Sequence, residues 1–173
     1  MPMRALLDRL VNPLHLLIAL GCTWLAITSP WLGMYHALPE PPGALNLSHV
    51  IIGLALLPFG LVYFAACTLG GRWPLYFPWA AGQFDAIGSD LAGLFKGQRP
   101  GSEAGGLFAT IEGLLLLALL ATLFTGALWW LVRGTDAAAG WRSAHIPCAR
   151  TFIGLMGLHV VAVALHLIDL VRD

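Results

Sequence analysis

The chain has 173 residues, of which 58% are hydrophobic and only 10% charged, and its mean hydropathy is +0.80. Soluble domains carry about 25% charged residues, so a water-soluble fold is excluded. Nine Lys+Arg against nine Asp+Glu leave a net charge of zero and no basic surface for nucleic acid. With three cysteines and so much apolar sequence, disulfide scaffolds, collagen and disordered chains are excluded too. The chain reads as an integral membrane protein, one membrane domain over residues 1–173.

In chain order, four stretches lack Asp, Glu, Lys and Arg: 10–39, 41–71, 113–132 and 151–168. Each can hold the ~20 apolar residues that cross a bilayer as a helix, which predicts helices near 12–35, 48–69, 106–132 and 145–171. The first stretch is too long for the apolar region of a signal peptide and lacks a small-x-small cleavage site, so it is read as a helix. Segment 70–105 is the one long connection, rich in Gly, Pro and aromatic residues. Within it Ile87, Leu91, Leu94 and Phe95 recur at helical spacing, which predicts a short amphipathic helix on the membrane surface. An even number of spans puts both termini on one side. Arg4, Arg9, Arg72, Lys96, Arg99 and Arg172 fall on that side and Arg133, Arg142 and Arg150 on the other, a 6:3 bias. Positive charge marks the cytoplasmic side, so both termini are expected in the cytoplasm. Trp24, Trp31, Trp73, Trp79, Trp129, Trp130 and Trp141 lie largely near span ends, as an interfacial belt requires.

Cys22, Cys67 and Cys148 stand far apart, with no CxxC or CxxCH, so neither a zinc ribbon nor covalent haem attachment is encoded. The chemistry lies in the histidines, which are costly in hydrocarbon. On the fourth helix His145, His159 and His166 are spaced 159 − 145 = 14 and 166 − 159 = 7, which makes one stripe on one face. At 1.5 Å rise, His145 and His159 stand ~21 Å apart along the axis. His49 opens the second helix at the outer level and His15 opens the first at the inner level. Two facing pairs follow, His49 with His145 and His15 with His159. Two imidazoles per level suit haem iron in a bundle core better than zinc, which needs about four ligands. Gly21, Gly53, Gly154 and Gly157 stand where a flat macrocycle would need small neighbours.

Ser-His-Val-Ile-Ile-Gly at 48–53, Ser-Ala-His at 143–145 and Gly-Leu-His-Val-Val-Ala-Val-Ala-Leu-His at 157–166 resemble the bacterial cytochrome b561 family. The same pattern is similar to the cytochrome b subunits of formate dehydrogenases and nickel-iron hydrogenases. Asp-Leu-Ala-Gly-Leu-Phe-Lys-Gly-Gln-Arg-Pro at 90–100 and Thr-Gly at 125–126 lean toward that second group. The resemblance covers about 10–170. It implies an all-α four-transmembrane-helix bundle with two haems b, exchanging electrons with quinone. Carried over by position, His49 and His145 bind the outer haem iron and His15 and His159 the inner one; His166 is the alternative inner ligand, and the depth of His15 favours His159. Glu112 departs from the dehydrogenase-linked subunits, which often carry a basic residue near there.

Among the remaining polar residues, Glu112, His166 and Asp169 cluster toward the inner side and are candidates for a quinone headgroup pocket that passes protons. The bland reading is that the carboxylates snorkel and His166 packs. Arg9 and Arg142, near His15 and His145, are candidates for haem propionates, against a topological role for Arg9. His36 is expected to be solvated. The leading functional reading is a di-haem cytochrome b that moves electrons between quinone and a redox partner, as the membrane subunit of a respiratory complex. The partner would be a peripheral dehydrogenase, iron–sulfur or cytochrome subunit. Its variant is a stand-alone quinone oxidoreductase acting on a small oxidant or reductant. The rival from another class is a four-helix transporter built on Glu112.

Overall fold

A computed structural model describes residues 3–97 and 105–172, with side chains from Arg9 to Leu165 apart from Leu10 and 98–104. The helices are α1 (Met3–Thr28), α2 (Ala44–Thr68), α3 (Trp73–Tyr76), α4 (Phe84–Phe95), α5 (Leu107–Leu131) and α6 (Ala137–Arg172), and no strand occurs among the described residues. Four of them contain apolar spans long enough to cross a membrane: 11–31, 44–68, 107–131 and 137–165. The chain is therefore an all-α, multi-pass membrane protein.

Several boundaries differ from expectation: α1 ends at Thr28 rather than near 35, and α2 begins at Ala44 rather than near 48. α1 begins at Met3 rather than near 12, and α6 at Ala137 rather than near 145. The physical reason is that a charge marks the edge of hydrocarbon, not the end of a helix. Ala137–Ala139 are strong helix formers, so α6 is already wound before it reaches lipid. Its 36 residues span about 54 Å, well beyond the hydrocarbon thickness. Arg142 and Arg150 thus sit on the helix, not in a loop. Pro13, Pro58 and Pro147 lie inside α1, α2 and α6, as membrane helices permit.

The described chain forms two compact units. Unit 1 comprises residues 1–66 and 118–151, and unit 2 comprises 67–117 and 152–173. In unit 1, small residues let backbones approach. A Cβ on Gly60 of α2 would fall 2.8 Å from Leu123 Cδ1 of α5, and one on Gly21 of α1 would fall 2.9 Å from Leu56 Cδ1 of α2. Gly21 therefore serves helix packing, not a macrocycle. One end of unit 1 is closed by a core of Val50, Trp129 and Ala138. Trp129 is 7% exposed, so it belongs to this core and not to an interfacial belt. The segment before α2 is strapped onto that end through consecutive carbonyls: Met34 accepts from Arg142 Nε at 2.9 Å, Tyr35 from Trp129 Nε1 at 2.9 Å and His36 from the Gly134 N–H at 2.8 Å.

Unit 2 holds the long connection and its two short helices. The expected amphipathic helix is α4, whose Phe84 and Phe95 are 61% and 93% exposed. Asp90 Oδ2 accepts the Leu107 N–H at 2.8 Å, so α4 supplies a carboxylate to the first turn of α5, where unsatisfied N–H groups and the helix dipole favour it. α3 lies directly on α5: any Cβ on Gly113 would collide with the Tyr76 carbonyl. The Tyr76 phenol hydrogen-bonds with buried Cys67. Burial first, then that bond, push its pKa above the ordinary tyrosine value, and the phenol stays protonated.

Candidate functional site

A histidine pair with side-chain and backbone partners lies within the spanning segments of unit 1. His49 stands in the second turn of α2 and His145 in the third turn of α6, both half-buried. Their ring centres are 6.5 Å apart and the ring planes are nearly perpendicular, at 89°. His145 Nδ1 lies 3.0 Å from the Thr122 carbonyl and 3.1 Å from Thr125 Oγ1, both on α5. A carbonyl only accepts, so Nδ1 carries the proton and Nε2 keeps its lone pair. That is how ligating histidines are held: the second nitrogen is tied to a carbonyl, which fixes ring orientation and raises ligand basicity. The Thr125 hydroxyl has backbone carbonyls to donate to, Ala121 at 2.7 Å and Thr122 at 3.0 Å, which leaves its oxygen as an acceptor toward Nδ1.

Glycine makes the room. A Cβ on Gly126 would fall 3.2 Å from His145 Cε1, so the ring rests almost on the α5 backbone. Gly53, one turn after His49, faces open space. His49 Nδ1 is buried and has no hydrogen-bond partner among the described residues.

These observations test which metal group the pair fits. A metal–imidazole bond of about 2 Å, plus about 1 Å from nitrogen to ring centre, sets two imidazoles on opposite sides of one ion roughly 6 Å apart between centres. The observed 6.5 Å agrees. Among the described residues no group of three or more His, Cys, Asp or Glu comes together to cage an ion. Two imidazoles with no third protein ligand at hand among the described residues fit an ion that brings its other ligands with it, as haem iron does.

The other expected pair is divided between the units. In unit 1, exposed His15 of α1 stacks on Tyr63 of α2, with centres 6.0 Å apart and planes at 15°. In unit 2, half-buried His159 of α6 stacks on Phe108 of α5 at 5.6 Å and 26°. Tyr63 follows His49 by 63 − 49 = 14, the same spacing as His145 to His159; that repeat was open to sequence reading and was missed. Thr125 lies in the Thr-Gly at 125–126 already singled out by resemblance, though without a role; Phe108 and Thr122 had no comparable signal, because their role depends on how α5 is turned toward α6.

The remaining expected residues are placed as follows. Arg9 is exposed. Arg142 is half-buried, its Nε on the Met34 carbonyl and its guanidinium 5.1 Å from the Tyr35 ring centre. Glu112 is half-buried on α5, beside Gly113 and close enough to Tyr76 to act on the phenol. His36 is exposed. The side chains of His166 and Asp169 lie outside the described residues.

Spanning helices that carry a facing imidazole pair are the arrangement a membrane cytochrome of the b class requires. The family described as prokaryotic cytochrome b561 matches residues 7–170, and the chain belongs to it. No curated protein and no solved structure matches.

Proposed function

We propose that the protein is a di-haem b-type cytochrome that carries electrons across the bacterial inner membrane between the quinone pool and a redox partner protein. His49 and His145 hold one haem and His15 and His159 the other. The observation that carries the proposal is the His49–His145 pair at 6.5 Å, with His145 Nδ1 committed to the Thr122 carbonyl. When bound, haem b supplies reversible one-electron transfer at its iron.

The chain's own residues then have distinct tasks. The Val50–Trp129–Ala138 core and the strapped 34–36 segment exclude water from the His49–His145 end of unit 1. Arg142 keeps its two Nη groups for a haem propionate while Nε holds Met34, and Arg9 serves the other haem. Glu112 sits in a span, where an ionisable group is expensive and usually functional. With His166 and Asp169 it bounds a quinone headgroup site and passes protons there. The termini face the cytoplasm, and α4 with its flanking segments receives a peripheral dehydrogenase, iron–sulfur or cytochrome subunit. Family membership sets the transporter reading aside.

Pyridine haemochrome analysis tests this directly. Two haems per chain are expected in the purified protein, falling to one in His49→Ala and His145→Ala and to one in His15→Ala and His159→Ala. Full haem content in the His49→Ala and His145→Ala proteins overturns the assignment. A Glu112→Gln protein with unchanged quinol-linked haem reduction removes Glu112 from the quinone site.

A further inference from the structure

The two imidazoles of the unit 1 pair are held in unlike ways. His145 Nδ1 has two acceptors, the Thr122 carbonyl at 3.0 Å and Thr125 Oγ1 at 3.1 Å. Its ring lies so close to Gly126 that any side chain there would press on Cε1 and Nδ1, at 3.2 and 3.4 Å from a Cβ. His49 Nδ1 is buried with no hydrogen-bond partner among the described residues.

From this contrast we infer that Thr125 and Gly126 of α5 are positioning residues that seat His145, fix its tautomer and make it the stronger electron donor of the pair. The inference rests on the haem-binding role proposed for His145. Thr125 is arranged for the task. Its hydroxyl hydrogen has backbone carbonyls to donate to, Ala121 at 2.7 Å and Thr122 at 3.0 Å, so the oxygen is left to accept from Nδ1–H. An imidazole that shares its Nδ1 proton with two acceptors has more negative charge on Nε2 and is a more basic ligand. A more basic ligand stabilises the oxidised iron and lowers the reduction potential. His49, whose Nδ1 has no such acceptor, lacks this push. Gly126 lets the ring come near enough to α5 for both acceptors to be reached; alanine there forces the ring away by a few tenths of an ångström. One helix thereby sets the electronic character of a ligand that stands on another.

The test is a redox titration and low-temperature electron paramagnetic resonance of Thr125→Val, Thr125→Ser and Gly126→Ala, with His145→Ala alongside. The potential of the haem that His145→Ala removes is expected to rise in Thr125→Val, with haem content unchanged, and to return to the wild-type value in Thr125→Ser, which keeps the hydroxyl. Gly126→Ala is expected to alter the low-spin signal of the same haem, because the ring must turn or retreat. A merely structural role for Thr125 would leave the potential unmoved in a folded, haem-replete Thr125→Val protein, and that result overturns the inference. Retention of both haems in His145→Ala instead overturns the ligand assignment on which it rests. The two failures are therefore separable.

Discussion

The two units organise their polar groups around different objects. In unit 1 the polar atoms serve an imidazole pair and the strap that closes the end beside it: Thr122, Thr125 and Gly126 hold His145, while Arg142, Trp129 and Gly134 hold the carbonyls of 34–36. In unit 2 they serve the connection between spans: Asp90 caps α5, Tyr76 bonds Cys67, and α3 is seated against Gly113. His159 is contacted there by the flat face of Phe108. A histidine held by a carbonyl has both its orientation and its proton set in advance. A histidine stacked on an aromatic ring has its plane restricted by the stack. One histidine frame is thus supported by two kinds of contact, and a hydrogen bond at Nδ1 is the one that tunes basicity directly.

Four substitutions sharpen that contrast. The largest expected effect is complete loss of one haem from His145→Ala with the second retained, read as haem per chain. Next, Gly113→Val should destabilise unit 2. The new side chain collides with the Tyr76 backbone, and overpacking costs about 1–3 kcal/mol. A lowered thermal midpoint with faster proteolysis of 69–97 is the expected readout, while the low-spin signal of the His49–His145 haem persists. A Gly113→Val protein of wild-type thermal stability would break the picture of α3 seated on α5. Smaller is Trp129→Phe, which removes the bond to the Tyr35 carbonyl and should cost about 1 kcal/mol, with faster amide exchange in 34–38. Smallest is Asp90→Ala, which removes the carboxylate from the start of α5. A capping loss of about 1 kcal/mol or less should appear as faster exchange of the Leu107 amide, with haem content unchanged.

Much of this architecture was legible in the residues themselves. The spans show because hydrocarbon tolerates so few charges, and the His145–His159 stripe shows because 14 residues bring a side chain back to the same face of a helix. Helix ends were not legible, since winding continues past the lipid edge, as Ala137–Arg150 demonstrates. The amphipathic segment was visible from the spacing of Ile87, Leu91, Leu94 and Phe95. Its tie to α5 through Asp90 was not, because a cap formed across 17 residues leaves no local pattern. Arg142 was expected beside a propionate from its nearness to His145; its contact with Met34 spans 108 residues of sequence and depends on the strap. The Thr122 carbonyl is the clearest limit of sequence reading, for a backbone atom carries no residue signature. Tyr63 is the opposite case, a repeated spacing that was present and overlooked.

The measurement that bears most directly on the central claim is hyperfine spectroscopy of protein grown on histidine labelled with 15N in the imidazole ring. Two histidine 15N couplings are expected at each haem iron, with both couplings at one haem vanishing in His145→Ala because that haem is no longer held. Histidine couplings at both haems that survive His145→Ala and His49→Ala unchanged, or a wild-type haem with fewer than two histidine nitrogens, would contradict the paired-histidine assignment.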